Sequence, residues 1–298
     1  MGRRNKGDPV HGWLVLDKPA GRTSAWAVGA ARRLLNANKA GHAGTLDPLA
    51  TGVLPIAFGE ATKTVPYIQD GRKAYAVSVR WGESRDTDDA EGSITGTSPI
   101  RPDFAAIQAL LPRFEGEIDQ IPPDYSAVLV DGQRAYDMAR KGEILDLKTR
   151  RVLVERFALV GTPTLETADF LIECGKGTYV RSLVRDLAAA LGTLGHVTAL
   201  RRTRVGPFTE SAAISLDTLA DLVHSPAPVA YLHPVETALA DIPALPLTDE
   251  EAARLRSGQR VRVPNTESGP VFATAGGHPI AVANVVDGEV QAVRVFNL

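Results

Sequence analysis

The chain has 298 residues, with 44% hydrophobic and 23% charged residues, which is typical of a globular protein with one large and one small domain. A single cysteine, Cys174, excludes an intramolecular disulfide and a multi-thiolate metal site, and no 18-residue apolar window predicts a membrane span. The N-terminal segment reaches Asp8 and Pro9 before any long apolar run, so we expect no signal peptide and a cytoplasmic protein.

The formal net charge of −2 conceals a division of charge along the chain. Residues 1–80 carry 12 Lys and Arg against 5 Asp and Glu, whereas residues 81–120 carry 3 against 9. Residues 181–206 hold five arginines and one acid. The two basic segments could form one phosphate-facing surface if the fold brings them together, although scattered solvated charge gives the same counts.

In chain order, the predicted elements alternate irregularly between strands and helices. Apolar or alternating runs predict strands at 12–19, 53–59, 73–82, 125–130, 150–160, 168–175 and 196–208. Capping residues and helical spacing predict helices at 23–36, 103–111, 132–142 and 178–192. The pair of β-rich runs at 150–160 and 168–175 indicates a hairpin rather than a crossover through a helix.

This order predicts an α+β fold with a mixed, largely antiparallel sheet and flanking helices. Pro226, Pro228 and Pro234 indicate a linker, which divides the chain into a large domain at 1–232 and a small domain at 233–298. One helix and several short Val-rich, Gly-punctuated strands predict that the small domain is β-rich.

One stretch places a single carboxylate in a glycine-rich loop. In "AGHAGTLDPLATG", Asp47 precedes Pro48, which favours an extended backbone at Asp47, and the glycines permit close approach of another molecule. Taken alone, the stretch is typical of an Asp-Pro turn. A chemical role for the Asp47 carboxylate can be inferred only if the stretch is part of a longer sequence motif.

Other chemistries lack their motifs. The acidic run "DTDDAEG" has Glu91 where an EF-hand loop needs glycine and Thr97 where it needs glutamate, so it predicts a solvated loop. No G-x-S-x-G, phosphate loop or dinucleotide fingerprint occurs, and Cys174 lies within an apolar run that predicts an inert buried thiol. The six histidines show no metal-ligand spacing, so we expect no metal and no nucleotide cofactor.

Four stretches together resemble the signature motifs of the TruB family of pseudouridine synthases, in the family's order and spacing. They are "GWLVLDKPAGRTS", "KAGHAGTLDPLATGVLPIAFGEATK", "CGKGTYVRSLVRDL" and "ALRRTRVGPF", and they span about the first 208 residues. The end of the chain resembles, more loosely, the PUA-type RNA-binding domain that often ends these proteins. The resemblance implies the pseudouridine synthase fold, with the catalytic domain at 1–232 and a PUA-like domain at 233–298.

The resemblance further implies that uridine 55 in the T arm of tRNA is isomerised to pseudouridine, without cofactor or metal. Because no water is activated and no group leaves the site, the paired carboxylates of glycoside hydrolysis are unnecessary. Asp47 could act as a nucleophile at the sugar or as the base that removes the 2′ proton. The sequence leaves both routes open.

Site residues carry over from the family by position. Asp47 matches the catalytic aspartate, Arg181 the arginine paired with it, and Tyr75 the tyrosine that stacks on the target base. Among the predicted substrate-binding residues, Tyr179 matches a second active-site tyrosine, His42 the residue that fills the space of the flipped nucleotide, and Leu200 an apolar wall. Basic residues predicted to contact the RNA backbone are Lys18, Arg22, Lys39, Lys63, Arg201, Arg202 and Arg204.

Two alternatives remain open at this level. The chain could modify another RNA, such as a ribosomal or guided substrate, or it could act mainly as a chaperone that refolds tRNA, with catalysis secondary. The expected partner is tRNA, bound through its T arm, and a monomer is the default oligomeric state.

Overall fold

The computed structural model describes residues 7–126, 128–130, 132–143, 145–225 and 231–298, so Pro226 and Pro228 of the predicted linker lie outside the described residues. The strands are β1 Gly12–Lys18, β2 Ala40–His42, β3 Thr51–Phe58, β4 Lys73–Trp81, β5 Glu83–Arg85, β6 Ile94–Thr97, β7 Gly116–Gln120, β8 Leu129–Val130, β9 Gln133–Arg134, β10 Arg150–Thr164, β11 Thr167–Cys174, β12 Gly195–Val205, β13 Phe208–Thr209, β14 Ala244–Pro246, β15 Val261–Arg262, β16 Gly269–Ala275, β17 His278–Val286 and β18 Glu289–Val295. The α-helices are α1 Ser24–Leu34, α2 Val65–Asp70, α3 Phe104–Leu110, α4 Ala135–Ala139, α5 Val180–Ala190, α6 Leu216–Val223 and α7 Asp249–Arg256. Short 3₁₀ helices cover Gly59–Thr64, Leu111–Phe114, Glu210–Ala212 and Val235–Leu239.

A large sheet forms the centre of the protein. Its strands follow the order β1-β3-β12-β4-β11-β10-β7, with β2 also paired to β3 and β13 to β12. The β3–β12 pair is parallel, and the other pairs of this sheet are antiparallel. The predicted α+β class with a mixed, largely antiparallel sheet is therefore confirmed, including the hairpin of β10 and β11.

Residue patterns explain how this sheet carries the site. Strand β4 alternates between buried and partly exposed positions and directs Tyr75 and Val77 inward, as period-two patterning requires. Helix α5 buries Val180, Leu183 and Leu187 in the same apolar core and packs against β12. The N-terminal end of α5 and the middle of the sheet are thereby held in fixed positions relative to one another.

The segment between β7 and β10 differs from the prediction. Among the described residues of the run at 125–130, only Leu129–Val130 forms a strand, which pairs with Gln133–Arg134; residue 127 lies outside the described residues. The predicted helix at 132–142 is reduced to Ala135–Ala139. The reason is packing: Val128, Ala135 and Leu147 form a small apolar cluster of their own instead of joining the main core.

The C-terminal residues form a second sheet with the order β14-β16-β17-β18-β15, as expected for a β-rich unit. Phe296 and Phe272 share an apolar core with Trp13 of β1 and Phe208 of β13. A polar contact lies at this junction between the two sheets: Glu60 accepts a hydrogen bond from the backbone N–H of Asn297 at 2.8 Å. Among the described residues, no helix is long and apolar enough to cross a membrane.

We predict that Phe296→Ala lowers the free energy of unfolding by about 3 kcal/mol, because it removes a fully buried ring from the junction between the two sheets. Leu298→Ala is the matched control: this side chain is 59% exposed, and its loss should change stability by less than about 0.5 kcal/mol. Urea denaturation measures both, and equal stability of the two variants would contradict this description of the junction.

Candidate active site

The centre of the candidate site is a two-point ion pair between residues that are far apart in sequence. Arg181 donates from Nε to Oδ2 of Asp47 at 2.9 Å and from Nη2 to Oδ1 at 3.0 Å. Arg181 is 4% exposed, whereas the Asp47 side chain retains 33% exposure. Such a planar fork fixes both the position and the orientation of a carboxylate.

Two further N–H groups of Arg181 donate to backbone carbonyls. Nη1 donates to the Thr87 carbonyl at 2.6 Å, and Nη2 donates to the Tyr125 carbonyl at 2.9 Å. Asp89, 3% exposed, lies with Oδ2 at 3.7 Å from Nε of Arg181. A buried guanidinium loses its hydration, so it needs several acceptors and a negative charge close by. Because these groups surround Arg181 on several sides, they hold its side chain in one orientation.

These contacts correct the prediction that the acidic run "DTDDAEG" is a solvated loop. Asp88 pairs with Arg185 of α5 at 3.1 Å, and burial raises the pKa of Asp88 to about 6. The run folds against α5 because two arginines on one helix face neutralise its carboxylates. It therefore forms part of the wall behind the ion pair.

Three buried polar side chains hold the loop on either side of Asp47. Ser24, the first residue of α1, exchanges hydrogen bonds with the backbone N–H and C=O of Leu46 at 2.8 and 3.1 Å. Arg202 donates to the carbonyls of Gly44 and Thr45. Lys18 donates to the Pro48 carbonyl at 3.2 Å and to the Arg22 carbonyl at 2.6 Å. The carboxylate is thus held by its backbone as well as by Arg181.

Glycine is required where Arg202 passes this loop. Gly52 has φ +95°, and a Cβ at this position would lie 2.3 Å from the Arg202 carbonyl oxygen. Only glycine accepts both the left-handed backbone and this approach. This contact explains the glycine that closes the motif.

Asp47 opens into a cavity of about 560 Å³, which is large enough for a nucleoside. The cavity is also lined by His42, Tyr75, Tyr179 and Leu200. Tyr75 and Leu200 are 8% and 6% exposed and contribute mostly apolar surface. The structure therefore brings together all six of the residues that the family resemblance placed in the pocket.

Burial determines the protonation of the polar groups around the cavity. It raises the pKa of Tyr75 to about 12, so the phenol is neutral at physiological pH. Burial, followed by the charge of Arg202, lowers the pKa of His42, whose Nδ1 is buried without a hydrogen-bond partner among the described residues. Burial also raises the pKa of Tyr179.

Gln120 is a positioning residue that the sequence did not reveal. Its side-chain amide accepts from the Tyr179 N–H at 2.8 Å and donates to the Tyr179 carbonyl at 3.1 Å. Gln120 is 2% exposed at the end of β7, and Tyr179 immediately precedes α5. Asp89, Thr87 and Gln120 lie in segments without a motif, so only the fold identifies them.

The geometry does not support the predicted RNA-backbone contacts of Lys18, Arg202 and Lys63. Lys18 is 0% and Arg202 1% exposed, with their donors directed at loop carbonyls. Lys63 pairs with Glu60 at 2.6 Å and donates to the Val295 carbonyl at 2.8 Å. These cations hold the protein together where the sequence suggested phosphate contacts.

Arg201 and Arg204 are likewise engaged, with Asp17 and Glu173 respectively. Within the described residues, no group of three or more His, Cys, Asp or Glu side chains could hold a metal ion. Cys174 is buried, as expected, and burial raises its pKa to about 11. The titratable groups that line the cavity are the Asp47 carboxylate, the His42 imidazole, four phenols and three cations, the phenols being Tyr75, Tyr125, Tyr136 and Tyr179 and the cations Lys73, Arg181 and Arg202.

Solved structures show the class of protein to which this fold belongs. The chain is similar to the protein in "Structure of H/ACA RNP bound to a substrate RNA containing 2'-deoxyuridine", with TM-score 0.75, 25% identity and coverage of 100% of this chain and 92% of that one. A second match, "Crystal Structure of a Cbf5-Nop10-Gar1 Complex", has TM-score 0.74, 27% identity and coverage of 96% and 84%. The fold is that of the pseudouridine synthases.

Family models and relatives narrow this class. Residues 32–180 match the N-terminal domain of the TruB family pseudouridylate synthases, and residues 181–240 match the C-terminal domain of tRNA pseudouridylate synthase B. A protein of Bradyrhizobium diazoefficiens, named tRNA pseudouridine synthase B, is 56% identical over 99% of this chain and 88% of its own length. One of the same name from Rhodospirillum rubrum is 52% identical over 100% of both.

The chain belongs to the TruB family of pseudouridylate synthases. It is accordingly an isomerase, and the predicted family and enzyme class are confirmed.

The buried ammonium of Lys18 gives a pH-dependent prediction. Burial lowers the pKa of Lys18 from 10.5 to about 8, so between these values the unfolded chain binds more protons than the folded protein. The Lys18 contribution to the free energy of unfolding therefore increases as pH rises from about 8 to about 10.5. Urea denaturation across this range should show wild type gaining stability relative to Lys18→Met. Lys39→Met replaces an exposed lysine, and its free energy of unfolding should change with pH as that of wild type does. If the free energy of unfolding changes with pH in the same way in all three proteins, the lowered pKa of Lys18 is contradicted.

Proposed function

We propose that this enzyme converts uridine 55 in the T loop of tRNA to pseudouridine, with Asp47 as its catalytic carboxylate. The observation that carries the proposal is the Arg181 fork, which presents one orientationally fixed carboxylate to a cavity of nucleoside size. Names of close relatives support tRNA as the substrate. The position within tRNA follows from the motif resemblance described above.

The reaction conserves the atoms of the nucleotide. The bond between C1′ and N1 breaks, the uracil turns within the cavity, and a bond forms between C1′ and C5. The proton on C5 leaves, and N1 gains one. A single carboxylate suffices because the leaving group is retained and becomes the nucleophile, so no second acid has to activate water. Whether Asp47 first attacks C1′ or removes the 2′ proton, its oxygens must lie beside the sugar.

The other side chains fit this reaction by placement and protonation. Tyr75, neutral and mostly buried, offers a flat face and a hydroxyl to the base, while Leu200, on the neighbouring strand β12, adds apolar surface that excludes water. His42 is uncharged, and an uncharged ring enters a base stack at lower desolvation cost than an imidazolium. We assign it to the space that the extruded uridine leaves, where it offsets part of the few kcal/mol of lost stacking.

Direct mapping tests the substrate. The purified protein is incubated with an unmodified tRNA transcript, and pseudouridine is located by carbodiimide modification and primer extension. Product confined to uridine 55 is the expected result. Product at another uridine would reject the position, and product only in a different RNA would reject tRNA. Refolding of tRNA without product would favour the chaperone alternative.

Asp47→Asn should reduce the single-turnover rate by about 1,000-fold or more, because the amide can neither attack the sugar nor accept a proton. RNA affinity should stay within about threefold, since asparagine has the shape of aspartate and still accepts a hydrogen bond from Arg181. Asp241→Asn is the matched control, at an exposed carboxylate outside the cavity, and should keep full activity. Turnover by Asp47→Asn near the wild-type rate would refute the catalytic role.

A further inference from the structure

An exposed indole lies in the first turn of α1, next in sequence to Ala25, which lines the cavity. Of the three tryptophans in the chain, Trp13 and Trp81 are 0% and 1% exposed, whereas Trp26 is 38% exposed. One turn further along α1, the neighbouring positions are Gly29 and Ala30, which are too small to cover the ring. A tryptophan left open on one side is suited to pack against a ligand.

A guanidinium stacks on this indole. The Cζ of Arg22 lies 4.7 Å from the centroid of the Trp26 ring. Arg22 is exposed, and across the described parts of the chain its guanidinium has neither a hydrogen-bond acceptor nor an ion-pair partner. This sets it apart from Arg202, whose donors are directed at backbone carbonyls. The pair therefore offers a flat ring together with unused N–H donors.

The backbone fixes this pair relative to the ion pair of the active site. Residues Thr23, Ser24 and Ala25, between the two side chains, line the cavity. The Lys18 ammonium joins the Arg22 carbonyl to the Pro48 carbonyl, one residue beyond Asp47. The indole and the guanidinium therefore flank, along the chain, three residues of the cavity that contains Asp47.

We propose that Trp26 and Arg22 form an RNA subsite at the rim of the cavity. The indole stacks on the base of a nucleotide next to the extruded uridine, and the guanidinium binds a backbone phosphate. Helix α1 favours such a polyanion, because it carries Arg32 and Arg33 in its last turn and no acid in its first. Aromatic stacking combined with a cation is a general mode of binding unpaired nucleotides. The subsite rests on the proposed function, since it requires RNA in this cavity.

Intrinsic fluorescence provides a direct test, because Trp26 is the exposed tryptophan. In the Asp47→Asn background, which prevents turnover, a synthetic T-arm stem-loop RNA should quench tryptophan emission and shield it from acrylamide. The same titration with the additional Trp26→Phe change should lose the signal. Fluorescence anisotropy of labelled RNA measures binding independently. RNA that binds without changing Trp26 emission would overturn the subsite and leave the function standing, whereas failure of the RNA to bind would overturn both.

Steady-state kinetics separate stacking from a structural role. Trp26→Ala should raise KM by about 5- to 20-fold, and Trp26→Phe should restore most of the loss because it keeps a stacking face. Arg22→Ala should raise KM and flatten the dependence of log affinity on log salt by about 0.7 to 1, the contribution of one phosphate contact. Phe104→Ala removes a similarly exposed ring, 44% exposed, from α3, and should leave KM unchanged. A wild-type KM for Trp26→Ala would reject the proposal.

Discussion

The rest of this structure depends on one requirement, that a buried arginine must find an acceptor for each of its donors. Four of the five N–H groups of Arg181 meet it, through a carboxylate and two carbonyls that come from three different segments. Leaving a buried guanidinium unpaired costs several kcal/mol, so the three segments are held in one arrangement. The Asp47 carboxylate is fixed as a consequence of satisfying that charge. Its side chain remains 33% exposed and lines the cavity.

A second set of buried cations extends the same principle outward. Lys18 and Arg202 lose hydration and donate hydrogen bonds to loop carbonyls instead. Burial disfavours the charged form of Lys18, and its pKa is lowered for that reason. Charges that face solvent would contact phosphate more readily, but they would leave the Asp47 loop free to move. Precise placement of one carboxylate is worth that cost, since small displacements of a reacting group reduce rates strongly.

The sequence predicted the parts of the molecule that follow local rules. Strands with alternating burial, the capped helix α1 and the amphipathic α5 appeared where patterning placed them, and the motif resemblance identified Asp47 and Arg181 as partners. The failures share a physical cause. Lys18 and Arg202 look like surface cations, and Asp88 and Asp89 like a solvated loop, because burial of a charge depends on partners that only the fold brings close. Gln120 carries no signal in the sequence at all.

The most direct test of this account is the single-turnover rate of Arg181→Lys, measured together with RNA affinity. Lysine keeps the positive charge but cannot form the two-point fork or reach the same carbonyls. If the fork positions Asp47, the rate should fall by about 100-fold while the RNA dissociation constant changes by less than about threefold. A rate within threefold of wild type would show that charge alone suffices and would contradict the central role of the fork.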